Sequence, residues 1–124
     1  MRRVLLLLTG LFVIAIGAVL LIAPQTYLSL YVVAYDPGMD FAARRFAPAV
    51  LGLGVLLCLA RSLPDGQFLT SLCAICGLAF LGVAVTGGHA WLSGQAKDTI
   101  LVAAAIECVI AVLFLATAAK GARA

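Results

Sequence analysis

The chain alternates between four long apolar runs and short polar segments. Each run is close to the roughly 20 apolar residues that an α-helix needs to cross a hydrocarbon core about 30 Å thick. The turn-forming sequences DPG at 36–38 and PDG at 64–66 lie between runs. The pattern predicts an all-α, integral membrane four-helix bundle that forms one domain over 1–124, with spans at about 4–23, 41–60, 68–86 and 99–118.

The segment after the first run is different in kind. Pro24 ends that run, because proline lacks an amide hydrogen. Tyr27, Tyr31 and Tyr35 then recur at four-residue spacing, and a helix would align these amphipathic rings along one side, which suits the headgroup boundary. We predict a helix that lies in the membrane interface, with a strand-like or re-entrant segment as the alternative.

Glycines mark the second and third runs. Gly52 and Gly54 lie within the second run, and small residues at such spacing let helix backbones approach closely in lipid. The third run ends at the glycine pair 87–88, and a loop at about 89–98 follows, with Trp91 as an interfacial anchor. These positions predict close packing at the glycines and a helix end near residue 86.

The composition is that of a membrane protein, and the charge argues against one class of partner. Hydrophobic residues make up 65% of the 124 positions and charged residues 10%, whereas soluble domains are roughly half apolar and a quarter charged. The net charge is only +3 and the basic residues are scattered, so nucleic-acid binding is not indicated. Arg2 and Arg3 before the first run resemble the start of a secretory signal, but the run is longer than the usual 7 to 15 residues of a signal, which favours a first span.

The basic residues are unevenly divided between the two ends of the predicted bundle. Five of the eight fall on the side of the termini and three on the other: Arg2, Arg3, Arg61, Lys120 and Arg123 against Arg44, Arg45 and Lys97. Cytoplasmic segments carry an excess of lysine and arginine. We therefore expect a multi-pass protein of the bacterial inner (plasma) membrane with both termini in the cytoplasm.

Glu107 is the acidic residue that lies in the middle of an apolar run. It is about nine residues into the fourth run, or about 13 Å deep at 1.5 Å per residue. An ionised carboxylate that faces lipid at such a depth is costly. We predict that Glu107 is protonated, paired with a cation or facing a wet cavity.

Two residues on the same side of the membrane are candidate partners of Glu107. Arg45 opens the second span with a long side chain that can reach inward, and His89 stands at the outer end of the third span. Together with Glu107 they form our candidate intramembrane polar site. The alternative for Arg45 and Glu107 is an ion pair that only fixes how two helices pack. The alternative to a proton-relay role for His89 is that it is simply a polar residue at the membrane interface. A lone histidine does not indicate a metal site.

The spacing of Cys73 and Cys76 suggests a possible thiol pair, which Cys58 could approach from the second span. Thiol chemistry requires the thiolate, and apolar surroundings suppress it. All four cysteines lie inside apolar runs, where cysteine is an ordinary small apolar residue. Packing is therefore favoured over redox chemistry.

Several of these positions together resemble a known group of proteins. Arg45 at the start of the second span, the glycines of LGLGVLLCLA and Glu107 in AAAIECVIAVLFL resemble uncharacterised four-helix bacterial inner-membrane proteins that are distantly DoxX-like. The resemblance implies a polar site at Arg45 and Glu107 and a link to quinol-oxidase-type membrane complexes. The arginine expected in the third span is replaced by the sequence GGHAW.

These observations favour a non-catalytic membrane subunit, accessory protein or bundle that binds a small hydrophobic ligand. No cofactor ligand set, nucleophile or phosphate loop is evident. The expected partners are the lipid bilayer, a second copy or a membrane-complex partner. The alternative functions are a proton-coupled small transporter that uses Glu107 and a DoxX-like membrane redox component.

Overall fold

The computed structural model describes residues 1–124 as five α-helices without a β-sheet, and it confirms the predicted all-α class. Four helices are long and apolar enough to cross a membrane, and a short helix follows the first. In chain order the helices are α1 (Arg2–Ile22), α2 (Pro24–Tyr31), α3 (Gly38–Ala60), α4 (Gln67–Leu92) and α5 (Thr99–Ala122).

The long helices associate as two antiparallel pairs, and the first consists of α1 and α3. A Cβ atom added to Gly54 would lie 2.6 Å from Ile14 Cγ1 and 2.8 Å from the Gly10 carbonyl oxygen, so the two backbones nearly touch. Close backbone approach through glycine is a typical way for helices to associate in lipid. The predicted packing role is confirmed for Gly54. Gly52 faces outward, because nothing lies within 4 Å of a Cβ added there.

The second antiparallel pair consists of α4 and α5. An added Cβ at Gly77 would lie 2.7 Å from Leu115, and one at Gly87 would lie 3.3 Å from Ile100. Phe80 of α4 stacks on Phe114 of α5 with ring centroids 6.4 Å apart. Aromatic pairs at such separations contribute beyond the area they bury. Glycines and aromatic rings therefore position α5 along the whole length of α4.

The main core joins the two pairs at one end of the bundle, which we call the termini end because Arg2 and Ala122 lie there. Its nine buried residues come from the first two-thirds of α1, the end of α3, the first half of α4 and the end of α5: Leu6, Val13, Leu57, Ala60, Leu69, Cys73, Cys76, Phe114 and Ala118. Few residues of the opposite half are buried, namely Gly17, Pro24, Ala47 and Ala84. The bundle is thus packed most densely at the termini end.

The opposite end, which we call the α2 end, is held by hydrogen bonds between the chain after α2 and the chain before α5. Val32 pairs with Ala96 in an antiparallel bridge. The Lys97 amide donates to the Tyr31 carbonyl at 2.6 Å, and the Lys97 ammonium donates to the Ser29 carbonyl at 2.9 Å. The Thr99 hydroxyl donates to the Leu30 carbonyl. This latch connects the two helix pairs where the main core is absent.

A helix after the first span is confirmed over Pro24–Tyr31, and its position in the membrane interface stays a prediction. The predicted stack of three tyrosines is wrong at the third ring. Tyr27 and Tyr31 do contact each other edge to face at 5.1 Å. The helix ends there because Val32 is extended, with φ −84° and ψ 142°, and joins the latch. Tyr35 instead donates to the Asp40 carboxylate at 2.6 Å, and this bond is the main cause that raises the pKa of Tyr35 to about 12.

The third span ends later than predicted, at Leu92 rather than near residue 86. Glycine in a helix costs only about 1 kcal/mol relative to alanine, so Gly87 and Gly88 do not stop it. The actual stop is Gly94, whose φ of 76° turns the chain. The Gly94 amide donates to the Trp91 carbonyl and the Gln95 amide to the Ala90 carbonyl, the Schellman pattern of a helix end.

Candidate functional site around Glu107

Glu107 lies on the face of α5 that points into the bundle. It precedes Ala111, Phe114 and Ala118 at spacings of four, three and four residues, which places all four on one side of a helix. Ala111, Phe114 and Ala118 are buried, whereas Glu107 is only half-buried. Glu107 therefore faces the inside of the bundle at the level where the main core ends.

The Glu107 carboxylate has no hydrogen-bond or ion-pair partner within the chain. The ion pair of the structure joins Arg2 to Asp65 at 2.8 Å, at the termini end. No buried side-chain oxygen or nitrogen lacks a hydrogen-bond partner, which is compatible with Glu107 because its carboxylate is partly exposed. The donor that a carboxylate needs at membrane depth must therefore come from outside the chain, unless the group is protonated.

Tyr27 of α2 is the neighbour of Glu107 that sequence reasoning missed. The pKa of Tyr27 is raised to about 12, first by burial, then by Tyr31 and then by the negative charge of Glu107. This smallest of the three effects acts through space, so it shows that the phenol and the carboxylate lie within electrostatic range of each other. The tyrosine spacing predicted only a headgroup position, because nothing in the sequence indicates that α2 lies over α5.

Arg45 is not joined to Glu107 by an ion pair or a hydrogen bond. Its side chain is exposed, whereas Ala47, two residues further along α3, is fully buried. Two residues correspond to a rotation of about 200° around a helix. Arg45 therefore points away from the buried face of α3, as an arginine does when it reaches toward headgroups. Arg44 is also exposed.

His89 is likewise not joined to Glu107. It lies within α4 rather than in the predicted loop and its side chain is exposed. Gly87, two residues earlier, is the position that packs against α5, so His89 is rotated by about 200° from the α5 contact. Tyr27 therefore lies within electrostatic range of Glu107, whereas neither Arg45 nor His89 is paired with it.

The cysteines at the predicted thiol pair are part of the main core. Cys73 and Cys76 are buried among apolar side chains, and all four cysteines are free thiols. Cys58 packs in the α1–α3 contact, where its sulfur is 3.9 Å from the Leu7 carbonyl oxygen. No three His, Cys, Asp or Glu side chains are grouped so that they could hold a metal ion.

In comparisons with known proteins, no family model, no curated protein and no solved structure matched this chain. The DoxX-like resemblance therefore stays a prediction.

Proposed function

We propose that the protein is a non-catalytic membrane bundle that binds a small hydrophobic ligand, with Glu107 receiving an ammonium or hydroxyl group of that ligand. The observation that carries the proposal is the half-buried, unpartnered carboxylate on the inner face of α5. A charge at this depth costs roughly 3 kcal/mol when it faces lipid. A donor supplied by a ligand would offset that cost.

The packing around Glu107 supports a ligand site there. The fully buried large side chains Leu6, Leu69 and Phe114 all belong to the main core. Ala103 and Ile110 of α5, on the Glu107 side, are only half-buried. An apolar ligand chain could cover these residues while its polar group lies against Glu107.

The proposal is tested with dodecylamine and dodecanol as probes and with the variant Glu107→Gln in detergent-solubilised full-length protein. Glutamine keeps a hydrogen-bonding group but removes the charge. Because a hydrogen bond to a charged group contributes about 1.5 to 3 kcal/mol, we expect the affinity for the amine to fall about 10- to 100-fold. The affinity for the alcohol should change much less. Isothermal titration calorimetry measures both.

Asp36→Asn is the matched control. Asp36 lies at the α2 end of the bundle, and its carboxylate caps the amide of Gly38, which asparagine can also do. We expect this variant to bind both probes like the wild type. Equal amine binding by the wild type and Glu107→Gln would contradict the proposal, as would turnover of a substrate by the purified protein alone.

The alternative function, a proton-coupled transporter, depends on the same carboxylate and in addition requires proton movement across the membrane. In proteoliposomes, a transporter would exchange protons for the amine across the bilayer, and Glu107→Gln would abolish that exchange. A binding bundle would move no more protons than protein-free vesicles, through which the neutral amine diffuses unaided. Measuring proton flux with a pH-sensitive dye inside the vesicles distinguishes the two functions.

We further propose that the bundle resides in a bacterial inner membrane with both termini in the cytoplasm. The excess of basic residues at the termini end supports this orientation. A membrane-complex partner, such as the quinone-linked enzyme that the DoxX-like resemblance implies, belongs to the same proposal. A fluorescent protein that matures only in the cytoplasm should fluoresce when it is fused to Ala124. Absence of fluorescence would indicate the opposite orientation.

A further inference from the structure

The termini end carries a polar basin that the proposed function does not use. The basin has a volume of about 810 Å³ and is lined by the start of α4, the end of α5 and Arg2 of α1. The side chains that can bind a ligand there are those of Arg2, Asp65, Gln67, Thr70, Ser71 and Lys120. Tyr27 lies at the opposite end of the bundle, and Glu107 lies between the two ends.

Arg2 is held in place at the edge of this basin. Its side chain is only 18% exposed, and its Nη1 atom donates to the Asp65 carboxylate at 2.8 Å. Its Nη2 atom lies on the other side, 2.6 Å from where a Cβ of Gly121 would be, and the Thr70 hydroxyl oxygen lies 2.5 Å from the same point. A guanidinium has five N–H donors, so Arg2 retains donors after pairing with Asp65.

Lys120 supplies a second cation that has no partner in the chain. It lies in the last turn of α5, is exposed, and makes no ion pair. The amides at the start of α4 also border the basin, because Gly66 and Gln67 line it and no side chain caps this helix. The Asp65 carboxylate opposes an anion, but it is 86% exposed and already paired with Arg2.

We propose that this basin binds a phosphate group, with Lys120 and Arg2 as cationic ligands and Thr70 and Ser71 as hydroxyl donors. The basin's side chains carry two cations against one carboxylate, and the amides at the start of α4 favour an anion. The last carbonyls of α5 also border the basin and oppose an anion, so Lys120 and Arg2 are the groups on which binding depends. The basin lies at the end of four membrane-spanning helices, at the level where lipid headgroups are found. A phospholipid headgroup and a free phosphate ion share the required chemistry.

Thermal unfolding of the full-length protein in a nonionic detergent tests this proposal. The probes are dioleoylphosphatidylglycerol, dioleoylglycerol with the same chains but no phosphate, and inorganic phosphate. We expect the phospholipid to raise the unfolding temperature and dioleoylglycerol to have no comparable effect. If inorganic phosphate raises the temperature as much at the same concentration, the ligand is the free ion. If only the phospholipid does so, the ligand is the headgroup.

Lys120→Gln is the decisive variant and Arg123→Gln its control. Both residues lie on the same exposed end, but Arg123 does not line the basin. A lysine near a membrane surface attracts an anionic lipid strongly enough that Lys120→Gln should weaken binding about fivefold. Arg123→Gln should bind nearly as the wild type does. Ser71→Ala should show a smaller loss in the same direction. Equal losses in Lys120→Gln and Arg123→Gln would mean diffuse attraction and would overturn the proposal.

Discussion

At the scale of single residues, side-chain size at one position decides how closely α1 and α3 approach. A Cβ atom at Gly54 would meet the backbone of α1, with the Ile14 nitrogen and the Gly10 oxygen both at 2.8 Å. Backbone atoms cannot move aside as a flexible side chain can. The absence of a side chain at Gly54, and at Gly10 opposite it, therefore determines the geometry of the first helix pair.

We predict that Gly54→Ala destabilises the protein by about 1 to 3 kcal/mol, because overpacking of a close contact forces the helices apart. Gly52→Ala is the matched control, since an added Cβ there meets nothing within 4 Å. It should be neutral or stabilising by up to about 1 kcal/mol through helix propensity. Unfolding titrations with sodium dodecyl sulfate measure both variants. Equal stability of the two variants would show that the backbones do not approach at Gly54.

At the scale of elements, the latch determines where α2 lies. α2 has only eight residues, too few to form a stable helix alone. It is fixed at one end by the fully buried Pro24 and at the other by the bridge between Val32 and Ala96. The latch thereby holds Tyr27 near Glu107, and it explains why the tyrosine helix ends before Tyr35.

We predict that cysteines at positions 32 and 96 form a disulfide on mild oxidation. The hydrogen bonds from the Val33 amide to Gln95 and from the Lys97 amide to Tyr31 flank the bridge. This arrangement makes Val32 and Ala96 a non-hydrogen-bonded pair with Cα atoms about 4.5 Å apart, within the range for a disulfide. Mass spectrometry of proteolytic peptides identifies the cross-link.

The control for this cross-link combines Val33→Cys with Ala96→Cys. Successive side chains of an extended segment point to opposite sides, so this pair should cross-link much less. The native thiols Cys73 and Cys76 are buried and should not compete, whereas Cys108 is exposed, so both cysteine pairs are introduced into a Cys108→Ala background. Equal cross-linking from positions 32 and 33 would indicate that the latch is not ordered.

At the scale of the whole molecule, the bundle is packed unevenly along its axis. The main core joins both helix pairs at the termini end, and the latch joins them at the α2 end. Between these two connections lies the half-buried inner face of α5 with Glu107. This uneven packing leaves the Glu107 carboxylate accessible. At the termini end, the dense core holds the helix ends that line the basin.

We predict that Phe114→Ala destabilises the bundle by about 3 to 5 kcal/mol, because it leaves a cavity in the main core. Phe114 is completely buried and stacks on Phe80. Phe46→Ala removes the same atoms from a residue that is 63% exposed and should change stability by no more than about 0.5 kcal/mol. Reversible unfolding in mixed micelles measures the difference. Similar losses in both variants would show that Phe114 does not lie in a core.

The sequence by itself determined the class of the protein and the approximate spans. Runs of about 20 apolar residues are long enough to cross a membrane, and a single segment in lipid can satisfy its own backbone groups only as a helix. Pro24 and the DPG and PDG turns marked the breaks between helices. The position of Glu107 nine residues into its helix also followed from counting along the run.

Only the tertiary structure decided which residues surround Glu107. Arg45 and His89 have suitable depth in the sequence, but rotation about the helix axis turns both away, and counting residues cannot fix that rotation without knowing which face packs. The placement of Tyr27 depends on the latch between 29–33 and 95–99, which joins segments more than 60 residues apart. The basin at the termini end likewise forms from three helices, so no single run of sequence contains it.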